Sequence, residues 1–167
     1  PELQVPHPNW IREVIRGRPG EESGASVTMF DLLRAALRQR PNEIVIGEIR
    51  GEEGAIAFQA MQTGHACMAT FHAATVEKLI QRLTGHPINI PKTYVDNLNL
   101  VVIQSMVRLP NGKDGRRIVS INEIVGYDSS SDSFSFIEVF RWNPASDTFE
   151  FTGYMNSYLL EEVIALK

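Results

Sequence analysis

Residues 43–72 constrain the fold of this chain more than any other stretch: EIVIGEIRGEEGAIAFQAMQTGHACMATFH. The stretch opens with Ile44, Val45, Ile46 and Gly47 and runs straight into a carboxylate, Glu48. A helix-like GEEGAIAFQAMQT follows, ending at Gly64. A second apolar run (Ala66, Cys67, Met68, Ala69, Thr70, Phe71) then leads into an imidazole, His72. Each run is about five residues long and nearly continuous, as expected of a strand buried on both faces of a parallel sheet. The roughly dozen residues between them suit a crossover helix. Glu52 and Glu53 fall in its first turn, where carboxylates favour the positive end of the helix dipole, and Gly64 supplies the stop.

Parallel strands joined by a crossover end on the same rim of their sheet. Glu48 and His72 are therefore expected at one crevice, at the strands' carboxyl ends, where open α/β sheets bind ligands. A carboxylate there can act as general base or orient water, and a histidine can donate a hydrogen bond to an anion. Either residue alone is ordinary, because a strand end is where the chain meets water. The pair at equivalent ends of successive strands is what points to a site.

The chain has 167 residues, enough for one good core or for one domain with an appendage. Its net charge of −4 gives no basic footprint and disfavours duplex nucleic acid as a partner. A single cysteine, Cys67, excludes an internal disulfide and any multi-cysteine zinc site, and suits a reducing compartment. No apolar stretch approaches the roughly 20 residues that span a bilayer. The sequence opens at Pro1 without a methionine and reads as a piece of a longer protein.

Residues 1–27 are punctuated by Pro6, Pro8, Gly17, Pro19, Gly20 and Gly24, with one possible short helix over 10–16 and a surface loop at GRPGEESGAS. A helix is predicted over 29–40, with Thr28 as N-cap, Asp31 as its capping-box partner and Pro41 beyond its end. Phe30, Leu33 and Leu37 share one face, while Arg34, Arg38 and Arg40 crowd the C-terminal turns, which suits the dipole. A second amphipathic helix is predicted over 76–83, closed by Gly85 and Pro87, and a short one over 92–97. From Leu100 onward LVVIQSMVRL, RRIVSINEIVGY, SFSFIEVFRW and TFEF read as strands separated by turn compositions. The expectation is an antiparallel meander, added to the first sheet's edge or forming a small lobe. A helix over 159–166 with Ser157 as cap ends the chain.

Other chemistry is weakly signalled. Alternation along a strand separates His65 and Cys67 from His72, which argues against a metal cluster. Cys67 sits inside an apolar run and makes a poor nucleophile. His7 and His86 lie beside prolines in loops. No GxSxG, HExxH or GxxxxGK[ST] motif is present.

IVIGEIRGEE followed by TGHACMATFHA resembles the Walker B and His-box motifs of type II/IV secretion ATPases, ring-forming motors of pilus assembly, protein secretion and archaellum rotation. MFDLLRAALRQRPNEIVIGEIRGEEGAIAFQAMQTGH and PHPNW resemble the archaeal branch in particular. The resemblance is strong over residues 1–90 and looser over the strand-rich tail. It implies an α/β fold: part of a RecA-like P-loop core over 1–100, then an antiparallel meander and terminal helix over 101–167. By this resemblance Glu48 is the catalytic glutamate that polarises the attacking water, and His65 and His72 are the His-box histidines, His72 approaching the γ-phosphate. Glu2 is the remnant of the family's Asp box. Arg16, Arg34 and Arg38 are candidates for charge neutralisation at the phosphates or across a subunit boundary. Arg50 pairs with a nearby acid. ATP and Mg²⁺ are the implied cofactors. The implied partners are a homo-hexameric ring, the N-terminal domain of the same protein and a membrane platform protein, at the cytoplasmic face of the membrane, with no nucleic acid.

The departures from the family pattern are informative. The family's phosphate loop and its strand lie upstream of the Asp box and are not in this sequence. That strand is expected between the Walker B and His-box strands, which leaves a gap in the middle of the sheet. Without the loop's amides and lysine the isolated chain is expected neither to bind ATP tightly nor to hydrolyse it. Two other readings stand beside the motor: a non-catalytic interaction module, and a RecA-like nucleic-acid translocase, against which the charge and the TGH…H box weigh.

Overall fold

Two short parallel strands and the helix between them fix the first half of the molecule. A computed structural model describes residues 3–15 and 27–165. Strand β1 (Glu43–Ile46) pairs in parallel with β2 (Ala66–Ala69), Glu43 opposite Ala66 through Ile46 opposite Ala69. They are joined by helix α2 (Glu53–Gln62), and Gly64, at φ +89°, turns the chain from helix to strand as only glycine does without strain. This pairing overturns the expected gap. β1 and β2 are direct neighbours, and a hydrogen-bonded ladder leaves no room for a strand between them.

A second expectation also fails. The strands are not buried on both faces. Ile44 and Ile46 are buried, and Cys67 on the same face reaches the Ala57 carbonyl of α2 at 3.9 Å. Val45 and Met68, on the other face, are 36% and 57% exposed. Side chains alternate along a strand, and α2 covers one face only.

Helix α2 buries Ile56, Ala57, Phe58 and Ala60, apolar residues on more than one side, as befits a helix in the middle of the core. It packs against β2, against α1 (Met29–Arg38) and against a 3₁₀ turn, Lys92–Asn97. Thr28 and Asp31 close the predicted capping box on α1, worth about 1 kcal/mol. Helix α3 (Val76–Thr84) is capped by Thr75 and buries Val76, Leu79, Ile80 and Leu83. Residues 10–15 form no regular helix, contrary to expectation.

The meander is a four-stranded antiparallel sheet of its own, ordered β3 (Leu100–Arg108), β4 (Asp114–Asp128), β5 (Ser133–Asn143), β6 (Thr148–Phe151). Its Val101 and Ile124 join the same hydrophobic cluster as α2 and α3, with Phe134 and Phe136 packed against it. Asp147 ties the sheet's far end together, accepting from Arg117 Nε and Nη2 at 2.7 and 2.6 Å and from Trp142 Nε1 at 2.8 Å. Helix α4 (Tyr158–Ala165) begins as predicted at the Ser157 cap, whose Oγ accepts from Leu160 N at 3.1 Å. Glu123 holds that start from below: it is 3% exposed and accepts from Ser157 Oγ at 2.6 Å and Leu159 N at 3.1 Å.

Candidate functional site

The carboxyl ends of β1 and β2 continue side by side past the last ladder pair. Ile49 N donates to Thr70 O at 3.1 Å, and the Thr70 hydroxyl donates to Gly47 O. Glu53 fixes the next turn by reaching back from the first turn of α2 to accept from Arg50 N at 2.6 Å and Gly51 N at 2.9 Å. Gly54 lets α2 start close in. A Cβ there would meet Ile88 Cγ2 at 2.8 Å and Ile49 Cγ2 at 3.0 Å. The GEIRGEEG segment thus owes its residue order to a tight strand-to-helix turn, and Glu48 stands at its exposed corner.

Glu48 Oε1 lies 3.0 Å from His72 Nε2, and Glu48 Oε2 lies 2.5 Å from Arg50 Nη2. The glutamate side chain is 23% exposed, whereas those of His72 and Arg50 are 83% and 78% exposed. The Arg50 guanidinium holds the Glu48 carboxyl below the usual carboxylate range, with smaller help from His72 and Arg82. At neutral pH Glu48 is therefore an anion on the rim, ringed by cations and by a donor imidazole. Exposed pairs of this kind add little to stability. Such an arrangement can hold a base in place and attract an anion.

Arg82 belongs to this cluster and was not singled out from the sequence. Its Nη1 donates to the His72 carbonyl, and its guanidinium lies 4.8 Å from the Phe71 ring centroid. The available signal was its place on α3, off the buried face, in the helix that follows His72.

The remaining predicted residues lie elsewhere. His65 sits at the opposite end of β2, its Nδ1 3.3 Å from Ala60 O and 3.2 Å from Thr63 Oγ1, so it is not brought to Glu48 and His72. Arg34 and Arg38 are exposed on α1, Arg34 over the Phe30 ring at 5.6 Å. Glu2 and Arg16 lie outside the described residues. Burial pushes the Cys67 thiol up, in the direction that weakens a nucleophile. Among the described residues no group of three or more histidines, cysteines or carboxylates is placed to hold a metal. A shallow cavity of about 280 Å³ lies away from the rim, on the antiparallel sheet between Ile118, Phe140 and Phe149.

The α/β scaffold thus sets a carboxylate and a histidine at the ends of adjacent parallel strands, the position at which open α/β sheets bind ligands. The chain belongs to the Type II/IV secretion system protein family, which matches residues 2–145. It is 56% identical over 165 residues to an uncharacterised protein of Methanocaldococcus jannaschii, covering 99% of this chain and 29% of that protein. A second uncharacterised protein of the same organism is 49% identical over 98% of this chain and 59% of its own length. The type IV pilus ATPase PilU of Pseudomonas aeruginosa is 34% identical over 109 residues, which are 60% of this chain and 28% of that protein. The chain thus spans less than two thirds of the length of these relatives. Among the described residues no helix is long and apolar enough to cross a membrane.

Proposed function

We propose that this chain is the Walker B and His-box part of a RecA-like ATPase, a hexameric motor that hydrolyses ATP to drive secretion or filament assembly at the cytoplasmic face of a membrane. The observation that carries this reading is the 3.0 Å approach of His72 Nε2 to Glu48 Oε1 at the ends of paired parallel strands. Family membership and the similarity to a pilus ATPase support it.

The residues present fit one end of a nucleotide triphosphate. Glu48, ionised at neutral pH, can accept a hydrogen bond from a water and orient it for in-line attack. His72 and Arg50 flank it with a donor and positive charge that suit the terminal phosphate. ATP with Mg²⁺ would supply the scissile phosphoanhydride and the metal's charge. β2 hydrogen-bonds to β1 alone among the described residues. A phosphate-loop strand from a longer chain would therefore add at an outer edge of this pair rather than between β1 and β2. The 167 residues by themselves neither retain ATP tightly nor turn it over. In the longer protein, the ring's neighbouring subunits, its N-terminal domain and a membrane platform protein complete the machine.

The test is Glu48→Gln in the longer protein that carries a phosphate loop. Turnover is expected to fall by about 10²- to 10⁴-fold, the usual weight of a general base, with nucleotide binding retained. Unchanged turnover would remove Glu48 from the role.

A further inference from the structure

The rim has a structural problem that one residue solves. His72 lies three residues beyond the end of β2, past the last ladder bond, and its side chain is 83% exposed. A histidine on such a segment has many rotamers and a mobile backbone, so holding its ring on Glu48 requires an anchor from another element. Helix α3 provides it. Side chains on a helix lean toward its N-terminus, so Arg82, in the last turn of α3, reaches back toward the segment that enters the helix. There its Nη1 donates to the His72 carbonyl while the guanidinium plane lies over Phe71, 4.8 Å from the ring centroid. The helix itself cannot shift easily, because Val76, Leu79, Ile80 and Leu83 are buried in the core.

We propose that Arg82 is a positioning residue for this site: by fixing the backbone at His72 and the ring of Phe71, it keeps the His72 imidazole on Glu48. Its planar fork can donate and stack at once, which lysine cannot do as well. Its charge adds to the ionisation of Glu48, but the contacts place its main action on the histidine.

The first test uses the 167-residue chain and is independent of the ATPase reading. Nuclear Overhauser contacts between the His72 ring protons and the Glu48 side chain are recorded for wild type and for the Arg82→Met and Arg82→Lys variants. Methionine keeps an apolar stem over Phe71 and removes every donor. The contacts are expected in wild type, to weaken severalfold in Arg82→Met, and to recover in part in Arg82→Lys, with equal melting temperatures. Undiminished contacts in Arg82→Met, or none in wild type, would overturn the proposal. The second test rests on the proposed ATPase function and uses the longer protein. Arg82→Met should lower kcat about tenfold at constant KM, and should have no further effect when His72 is already alanine. A further tenfold loss in the His72→Ala background would mean that Arg82 acts on the substrate directly, against the proposal. Absence of any ATP turnover in the wild-type longer protein would count against the motor reading, while the Overhauser contacts would still decide the role of Arg82.

Discussion

Glu48 and Glu123 each engage both carboxylate oxygens, but the two settings differ in every other respect. Glu123 is 3% exposed in the antiparallel sheet and accepts from the Ser157 hydroxyl and the Leu159 amide, so its bonds hold helix α4 to β4. Glu48 accepts from an arginine and a histidine that are themselves largely exposed, and these contacts join no two elements that are not already tied by backbone bonds. Breaking the first set leaves buried donors without partners; breaking the second returns three groups to water. The polar residues of the sheet serve the architecture. Those of the rim hold no elements together, as the proposed site requires.

The largest effect is expected from Gly54→Val, because the rim's scaffold is tightly packed even though its polar residues are not. The new side chain would run into Ile49 and Ile88, costing about 3 kcal/mol by chemical denaturation. A smaller, pH-dependent effect is expected from Asp147 in the sheet. The Arg117 guanidinium, and then the Trp142 indole, hold its carboxyl down to about 2 from the ordinary 3.8. A carboxyl depressed on folding stabilises fully above the unfolded value and loses that contribution as pH falls toward the folded one. Thermal midpoints should therefore drop between about pH 4 and pH 2 in wild type, and Asp147→Asn should show a shallower fall over that window; equal slopes would clear Asp147 of the role. The smallest effect belongs to Arg50→Ala. The melting temperature should not move, while the Glu48 titration midpoint, followed by carboxyl ¹³C shifts, should rise toward the usual range. A midpoint that stays low would give the depression to His72 and Arg82 instead.

Much of this was legible in the sequence for identifiable reasons. Thr28 and Asp31 announced α1, Gly64 announced the end of α2, and the turn compositions after Leu109, Asp128 and Asn143 delimited the meander, because caps and turns are local chemistry. The meeting of Glu48 and His72 was legible because parallel strands with a crossover share a rim. What was not legible depended on other elements. The burial of Val45 and Met68 hinges on which helices cover a face, and apolar composition alone cannot say that one face stays open. Strand order is likewise not written in either strand, and β1 proved to lie directly beside β2. His65 was named with His72 only through the His-box resemblance, and β2 carries the two to opposite ends. Arg82 and Glu123 escaped notice because their partners are 10 to 36 positions away and nothing nearby marks the pairing.

A rim carboxylate free of structural duty should be dispensable for folding, whereas the buried sheet carboxylate should not. Urea unfolding of the 167-residue chain is compared for wild type, Glu48→Gln and Glu123→Gln. Glu123→Gln turns one acceptor into a donor facing the Ser157 hydroxyl or the Leu159 amide, and should cost about 2 kcal/mol. Glu48→Gln should unfold at the wild-type midpoint. A loss for Glu48→Gln as large as that for Glu123→Gln would make Glu48 a structural residue rather than one free for a ligand.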